Sequence, residues 1–295
     1  MSFLRMGVVC AASNETGQWL FSQRGDLGAW NFPSGRLDPE ERLDEAAVRE
    51  AWEETGVRVE IRQPLGLYYY ARWQRLNVLF TASVTGGEVL QKTYETRANG
   101  FYPLTDPPQP LLDTAIVSQL LDPAPHMLTI ETALHEYNRM RRRFAWRWVQ
   151  NLLAGHPEPR YPRFTIHASL LITHPEKTVL TLAEPSGQRV LPGIVCDGRE
   201  APWEQIRRHV RDSYGLYELR TAELRWIGLY QHVRDGRIEL IFAVDLPDRS
   251  PLNHRDIGWT AFTSPAWWPG YRPFVQHVQT HASTVLVIYD GTDKN

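Results

Sequence analysis

Short apolar runs broken by turn residues fill the first eighty positions. Val8-Val-Cys-Ala-Ala12 and Trp19-Leu-Phe21 flank Asn14-Glu-Thr-Gly17. Two apolar runs around such a turn predict two paired strands. Leu43–Thr55 is rich in Ala and Glu and is followed by Gly56, which predicts a helix stopped at the glycine. A shorter helix is predicted at Thr114–Leu121, closed by Pro123 and Pro125. Between Thr129 and Leu153, Ile130, Leu134, Tyr137, Phe144, Trp148 and Leu152 recur at helical spacing. That stripe predicts one long helix, ended by the Gly155-His-Pro-Glu-Pro run.

The pattern then repeats. Ser169-Leu-Leu-Ile-Thr173 and Thr178-Val-Leu-Thr-Leu182 flank His174-Pro-Glu-Lys177 as the first pair flanks its turn. One constant offset pairs Pro33 with Pro192, Glu41 with Glu200, Arg49 with Arg208 and Gly56 with Gly215. A slightly longer one pairs Gly66-Leu67-Tyr68 with Gly228-Leu229-Tyr230, Arg75 with Arg237 and Phe80 with Phe242. The order strand, turn, strand, loop, helix, strand, strand therefore occurs twice, as duplication of one domain would produce. The expected division is 1–125, a bridging helix and linker at 126–158, and 159–295.

Length agrees, since 295 residues suit two domains. Hydrophobic residues at 42 % exclude a mainly disordered chain. A net charge of −2 argues against coating nucleic acid by bulk charge. No apolar run approaches the roughly 20 residues a spanning helix needs, and the N-terminal residues lack the layout of a secretory leader. Cys10 and Cys196 make no metal or disulfide pattern, so a reducing cytoplasmic setting is expected.

Candidate chemistry concentrates on the helix before Gly56. Glu50, Glu53 and Glu54 stand at i, i+3 and i+4, on one face. Like charges so placed repel, and a hard divalent cation with oxygen ligands would compensate them. Mg²⁺ suits such a set because it takes a few carboxylates and fills its shell with water and phosphate oxygens.

Residues 35–57 resemble the Nudix box, G-x5-E-x7-R-E-U-x-E-E-x-G-U with U apolar. The match runs Gly35, Glu41, Arg49, Glu50, Ala51, Glu53, Glu54, Gly56, Val57. Ala51 is smaller than the usual aliphatic residue, and Ser34 in Trp30-Asn-Phe-Pro-Ser-Gly35 stands where a glycine is common. Arg42 replaces the small polar residue expected at the helix N-cap. The resemblance implies two tandem α/β/α sandwich domains with mixed sheets, joined by the long helix. It implies metal-dependent hydrolysis of a nucleoside diphosphate linked to another moiety. Glu50, Glu53 and Glu54, with the backbone carbonyl near Ser34 or Gly35, would hold Mg²⁺ or Mn²⁺. Arg49 would orient Glu50 and Glu41. The general base would be a box glutamate, Glu50 above all, or the loop acid Glu95. Arg24 is a candidate phosphate contact, and Trp30 and Tyr68 are candidate surfaces for stacking a base.

In the second copy Glu50, Glu53 and Glu54 are replaced by His209, Asp212 and Ser213. One carboxylate of three is left, so this copy is expected to keep the fold and lose the chemistry. The resemblance to a family with many homodimers favours its standing in for the second subunit, giving a monomeric pseudo-dimer, with a homodimer as the alternative. Closing or lining the substrate pocket and binding a nucleotide for regulation are the other roles open to it. The basic, aromatic run Arg139–Trp148 reads as a solvated helix face, or else as a contact for RNA or polyphosphate. The expected substrate is a small nucleotide: an NTP or dNTP, a nucleotide sugar or a dinucleoside polyphosphate. Tyr70-Ala-Arg-Trp-Gln74 lacks the proline that marks ADP-ribose members. The alternatives are an RNA 5′-end pyrophosphohydrolase and a non-catalytic nucleotide sensor.

Overall fold

The computed structural model describes residues 4–121, 124–153, 155, 161–174, 176, 178–246, 257–280 and 284–290. The chain forms two compact units, Arg5–Arg163 and Met1–Leu4 with Phe164–Asn295. Pro123 and residues 156–159, expected to close helices, lie outside the described residues.

In the first unit, strands β1 (Arg5–Ser13), β2 (Trp19–Arg24), β3 (Trp30–Asn31), β4 (Ser34–Arg36), β5 (Val57–Tyr70), β6 (Arg75–Gly87), β7 (Thr96–Tyr102) and β8 (His126–Ile130) form one mixed sheet. Its order is β3-β2-β1-β6-β5-β8, with β4 on β1 and β7 on β2. Strand β1 is apolar on both faces because both are covered, and it runs parallel to β6 with Cys10 beside Phe80. Val9 and Ala11 face a cluster that includes Ile116 and Val117 of helix α2 (Thr114–Leu121). Strand alternation turns Val8 and Cys10 to the other face, where helix α1 (Leu43–Thr55) packs on β1 and β5. Ala46, Ala47 and Ala51 are fully buried, and their small side chains bring α1 close to the strands.

The caps of α1 set its register. Gly56 takes φ 73°, and its N–H donates to the Trp52 carbonyl at 2.8 Å. At the other end the Glu45 carboxylate accepts from the Arg42 backbone N–H at 3.2 Å. Arg42 therefore leaves the helix capped by the residue three positions on, while its own side chain pairs with Asp44.

The segment expected to bridge the units does otherwise. His126–Ile130 is a strand, not the start of a helix, because β5 offers it a free edge and pairs with it in parallel. Helix α3 (Leu134–Leu153) follows and belongs to the first unit, which runs on to Arg163. Its stripe is divided: Tyr137 and Phe144 pack on Trp73 at 4.5 and 5.6 Å between centroids, while Leu134, Trp148 and Leu152 are exposed.

In the second unit β9 (Thr165–His174), β10 (Thr178–Ala183), β11 (Arg189–Val190), β12 (Gly193–Val195), β13 (Arg225–His232), β14 (Arg237–Asp245), β15 (Ile257–Ala261) and β16 (Leu286–Asp290) form the other sheet. Its order, β11-β10-β9-β14-β13-β16 with β12 on β9 and β15 on β10, repeats the first strand for strand. Matched residues take matched registers. Gly66 lies between Leu79 and His126, and Gly228 between Ile241 and Leu286. Helix α4 (Pro202–Tyr214) ends at Gly215 with φ 75°, as α1 ends at Gly56. Helix α5 (Arg272–Gln279) packs on β13 through Phe274 and Val275.

Candidate active site

The loop β4 to α1 and the second half of α1 meet at Arg49. Its five N–H groups are all engaged. Nε and Nη2 donate to the two Glu41 oxygens at 2.7 and 3.0 Å. Nη1 donates to Glu50 at 2.8 Å and to Glu53 at 3.2 Å, and Nη2 also reaches the Arg36 carbonyl at 3.1 Å. Glu41 is fixed in turn by the Asp38 N–H at 3.0 Å. A planar five-donor group suits this bracing, and a lysine cannot reproduce it.

The three glutamates do not share one environment. Glu50 and Glu54 are buried, at 6 % and 4 % exposure, whereas Glu53 is turned to solvent. Burial pushes the Glu50 carboxyl up in spite of Arg49. Glu54 sits deeper, accepts from the Ser22 hydroxyl at 2.7 Å, and is pushed up to about 8 by burial. Among the described residues no three His, Cys, Asp or Glu side chains converge as a ready-made metal cage. What exists is a partial, anionic, oxygen-only set, with a buried carboxylate at Glu54 that no guanidinium hydrogen-bonds. That set fits a hard cation completed by water and phosphate oxygens rather than one enclosed by protein. Gly35 adjoins it so closely that a Cβ there would overlap the Glu50 carboxylate. Its carbonyl accepts from Arg75 Nη2 at 2.8 Å.

Glu50 and Glu53 open onto a cavity of about 1870 Å³. Glu95, exposed on the loop before β7, lines it as well, and its charge acts on Glu50, Glu54 and Arg24. Arg24 is at the wall, forked onto Asp26 at 3.0 and 2.7 Å. The structure thus brings Glu41, Arg49, Glu50, Glu53, Glu54, Gly35, Arg24 and Glu95 to one region.

Trp30 and Tyr68 are not part of it. Trp30 is 8 % exposed and packs edge-on to Tyr102 in the core. Tyr68 is 1 % exposed and hydrogen-bonds Gln119. Both belong to the core cluster that Ile116 and Val117 of α2 help to fill, so neither has a face open to a base. The exposed aromatic rings at the cavity are Tyr94 and Trp146, the latter on α3.

Other contributors were not legible in the sequence. Ser22, Asp26 and Arg75 reach the site from strands and a turn, and no local motif marks them. The α3 residues Arg143, Arg147 and Asn151 line the cavity, and Asn151 accepts from the Tyr94 hydroxyl at 2.8 Å. Their only signal was the basic run, which alone does not tell a solvated face from a cavity wall.

In the second unit the matching positions of α4 do different work. Asp212 pairs with Arg211 at 2.6 Å, and Ser213 contacts His209 at 3.4 Å. Among the described residues of this unit the buried carboxylate is Glu239 on β14, which accepts from the Ser169 and Tyr271 hydroxyls at 2.5 Å each.

The first unit is thus a mixed-sheet sandwich that presents an arginine-braced acidic helix to a cavity. The family model of the NUDIX domain matches residues 3–122, so this part of the chain is a NUDIX domain. A putative 8-oxo-dGTP diphosphatase of Bacillus subtilis (strain 168) is 39 % identical over 90 residues, 30 % of this chain and 60 % of that protein. An RNA pyrophosphohydrolase of Erythrobacter litoralis is 47 % identical over 58 residues, 19 % of this chain and 34 % of that protein. The chain spans from 60 % down to 32 % of the first three curated relatives it matches. Among solved structures, a NUDIX hydrolase from Nitrosomonas europaea is 23 % identical with a TM-score of 0.40, covering 45 % of this chain and 81 % of that one.

Proposed function

We propose that the first unit hydrolyses a pyrophosphate bond in a nucleoside diphosphate linked to another moiety. The observation that carries this is the pair of buried carboxylates, Glu50 and Glu54, one turn apart beside a large cavity, with no cationic hydrogen-bond partner for Glu54 among the described residues. A divalent cation, Mg²⁺ first and Mn²⁺ second, would be held by Glu50, Glu53 and Glu54 with the Gly35 carbonyl. Bound there, it would polarise a phosphoryl oxygen and neutralise developing charge. Arg49 holds Glu50 and Glu41 in place. Glu50 or Glu95 takes the proton of the attacking water, both being at the cavity. Arg24 faces the phosphates.

Small nucleotides are the first substrate class, in line with relatives named as 8-oxo-dGTP diphosphatases. A second reading, hydrolysis at an RNA 5′ end, is favoured by the basic face of α3 along the cavity. The second unit, with the same strand order but without the glutamates, is read as a degenerate copy that supports the fold of a pseudo-dimer. Both cysteines are free and buried, which suits the cytoplasm. No helix among the described residues is long and apolar enough to cross a membrane.

The test is product release with Mg²⁺ over dNTPs, oxidised dNTPs, ADP-ribose, nucleotide sugars, dinucleoside polyphosphates and 5′-triphosphate RNA. The native chain should turn over at least one class, and Glu54→Gln should lower that rate about a hundredfold or more. Mg²⁺-dependent nucleotide binding without turnover of any member would replace the enzyme by a sensor.

A further inference from the structure

Asp26 lies in the turn after β2, and its side chain is 3 % exposed. Two guanidinia close on it from different parts of the chain. Arg24 forks onto both oxygens, and Arg147 of α3 donates from Nη1 to Oδ2 at 2.7 Å. Both guanidinia also lie over the Phe144 ring, 5.9 and 5.8 Å from its centroid. Arg143, one turn before Arg147, donates to the Leu27 carbonyl at 3.0 Å. These side chains line the same cavity as Glu50, Glu53 and Glu95.

The charge balance is the point. One carboxylate with one guanidinium is a neutral pair, and its guanidinium has little attraction left for an anion. One carboxylate with two guanidinia carries a positive charge of its own, which the charges of Glu95 and Glu54 on Arg24 offset in part. Burial disfavours ionised Asp26, yet the two arginines outweigh it and hold its carboxyl below the usual range. The aromatic floor and the backbone contact of Arg143 fix the arrangement from below and from the side.

We propose that Arg24, Asp26 and Arg147 form an anion subsite for the phosphate groups of the nucleotide, in which Arg147 balances Asp26 and leaves Arg24 able to hold a phosphoryl oxygen. Arg147 is here a positioning residue. It lies beyond the matched residues 3–122, so the subsite is completed by a helix outside the family core. The inference rests on the reading of this cavity as a nucleotide phosphate site.

Calorimetric titration with inorganic pyrophosphate, in EDTA at low ionic strength, tests it. The native chain binds, and binding weakens as salt is raised. Arg147→Ala weakens binding about tenfold, the scale of one charge-assisted hydrogen bond. Arg147→Lys keeps the charge and stays within about threefold of native. Asp26→Asn added to Arg147→Ala removes the unbalanced carboxylate and returns binding to within about threefold. A merely structural role of Arg147 gives no such return. The subsite is overturned if the native chain does not bind pyrophosphate, or if Arg147→Ala binds as tightly as native. It is equally overturned if the folded double variant is as weak as the single one. Should the double variant not fold by circular dichroism, the Lys and Ala variants decide: equal weakening in both overturns the proposal. No step of this test needs turnover, so a chain that hydrolyses nothing can still show the subsite. A chain that hydrolyses nucleotides can likewise lack it.

Discussion

Glu54 shows how much one buried group decides. Its carboxyl is raised from the ordinary 4.5 to about 8 by burial, so the folded chain prefers it protonated. Between those two values the native state holds more protons than the unfolded one, and stability therefore falls as pH rises across the window. Below about 4.5 that contribution is complete, and above about 8 it is gone. A cation at this carboxylate reverses the balance, because it binds the ionised form. In EDTA the thermal midpoint should drop from pH 5 to pH 8, and Mg²⁺ should raise it most at about pH 8 and above. An identical pH profile with and without Mg²⁺ would remove Glu54 from the metal site. Gly35 makes a second claim at this scale. A Cβ there would overlap the Glu50 carboxylate. Gly35→Ala should displace Glu50, costing about tenfold to a hundredfold in kcat with the thermal midpoint little changed. Steady-state kinetics beside a melting curve would check it.

At the scale of elements, helix α1 was readable because its signals are local. Ala and Glu give the propensity, Gly56 the stop, and the i, i+3, i+4 spacing the acidic face. Gly56 holds φ 73°, and a Cβ there would meet the Glu88 carbonyl oxygen at 2.8 Å. Gly56→Ala should cost about 1–3 kcal/mol in chemical denaturation. The spacing did not reveal that Glu53 faces solvent while Glu50 and Glu54 are buried. Which part of a helical face is covered depends on the strands laid against it. For the same reason the sequence does not show that Trp30 and Tyr68 are closed to a base. Their burial comes from Tyr102 and Gln119, far along the chain. Helix α3 shows the limit from the other side, since periodicity gave its existence but not its neighbours. Trp73, Asp26, Leu27 and Tyr94 hold its inner face, and no sequence rule pairs those residues with it.

For the whole molecule, the boundary between the units carries a prediction. Residues 126–130 complete the sheet on β5, and α3 packs on Trp73, so the first unit ends near Arg163. A chain of residues 5–163 should unfold in one cooperative transition. A chain cut at 125 leaves β5 as an open edge and Trp73 uncovered, and should aggregate or melt at a lower temperature. Circular dichroism and size-exclusion chromatography would tell these apart, and equal stability of the two would refute the boundary.

The sequence by itself determined what local chemistry can encode. It set the first strand pair, the glutamate helix with its stop at Gly56, and the recurrence of that pattern with His209, Asp212 and Ser213 in place of the glutamates, but not the strand at His126–Ile130. Propensity, turn residues and fixed spacing act over a few positions, so one chain suffices to read them. Only the tertiary structure decided which carboxylates are buried, that Ser22 holds Glu54, and that α3 is a wall of the cavity and meets Asp26 through Arg147. Those facts come from segments far apart in the chain, 32 residues between Ser22 and Glu54 and 121 between Asp26 and Arg147. Desolvation and charge balance arise only where such segments meet.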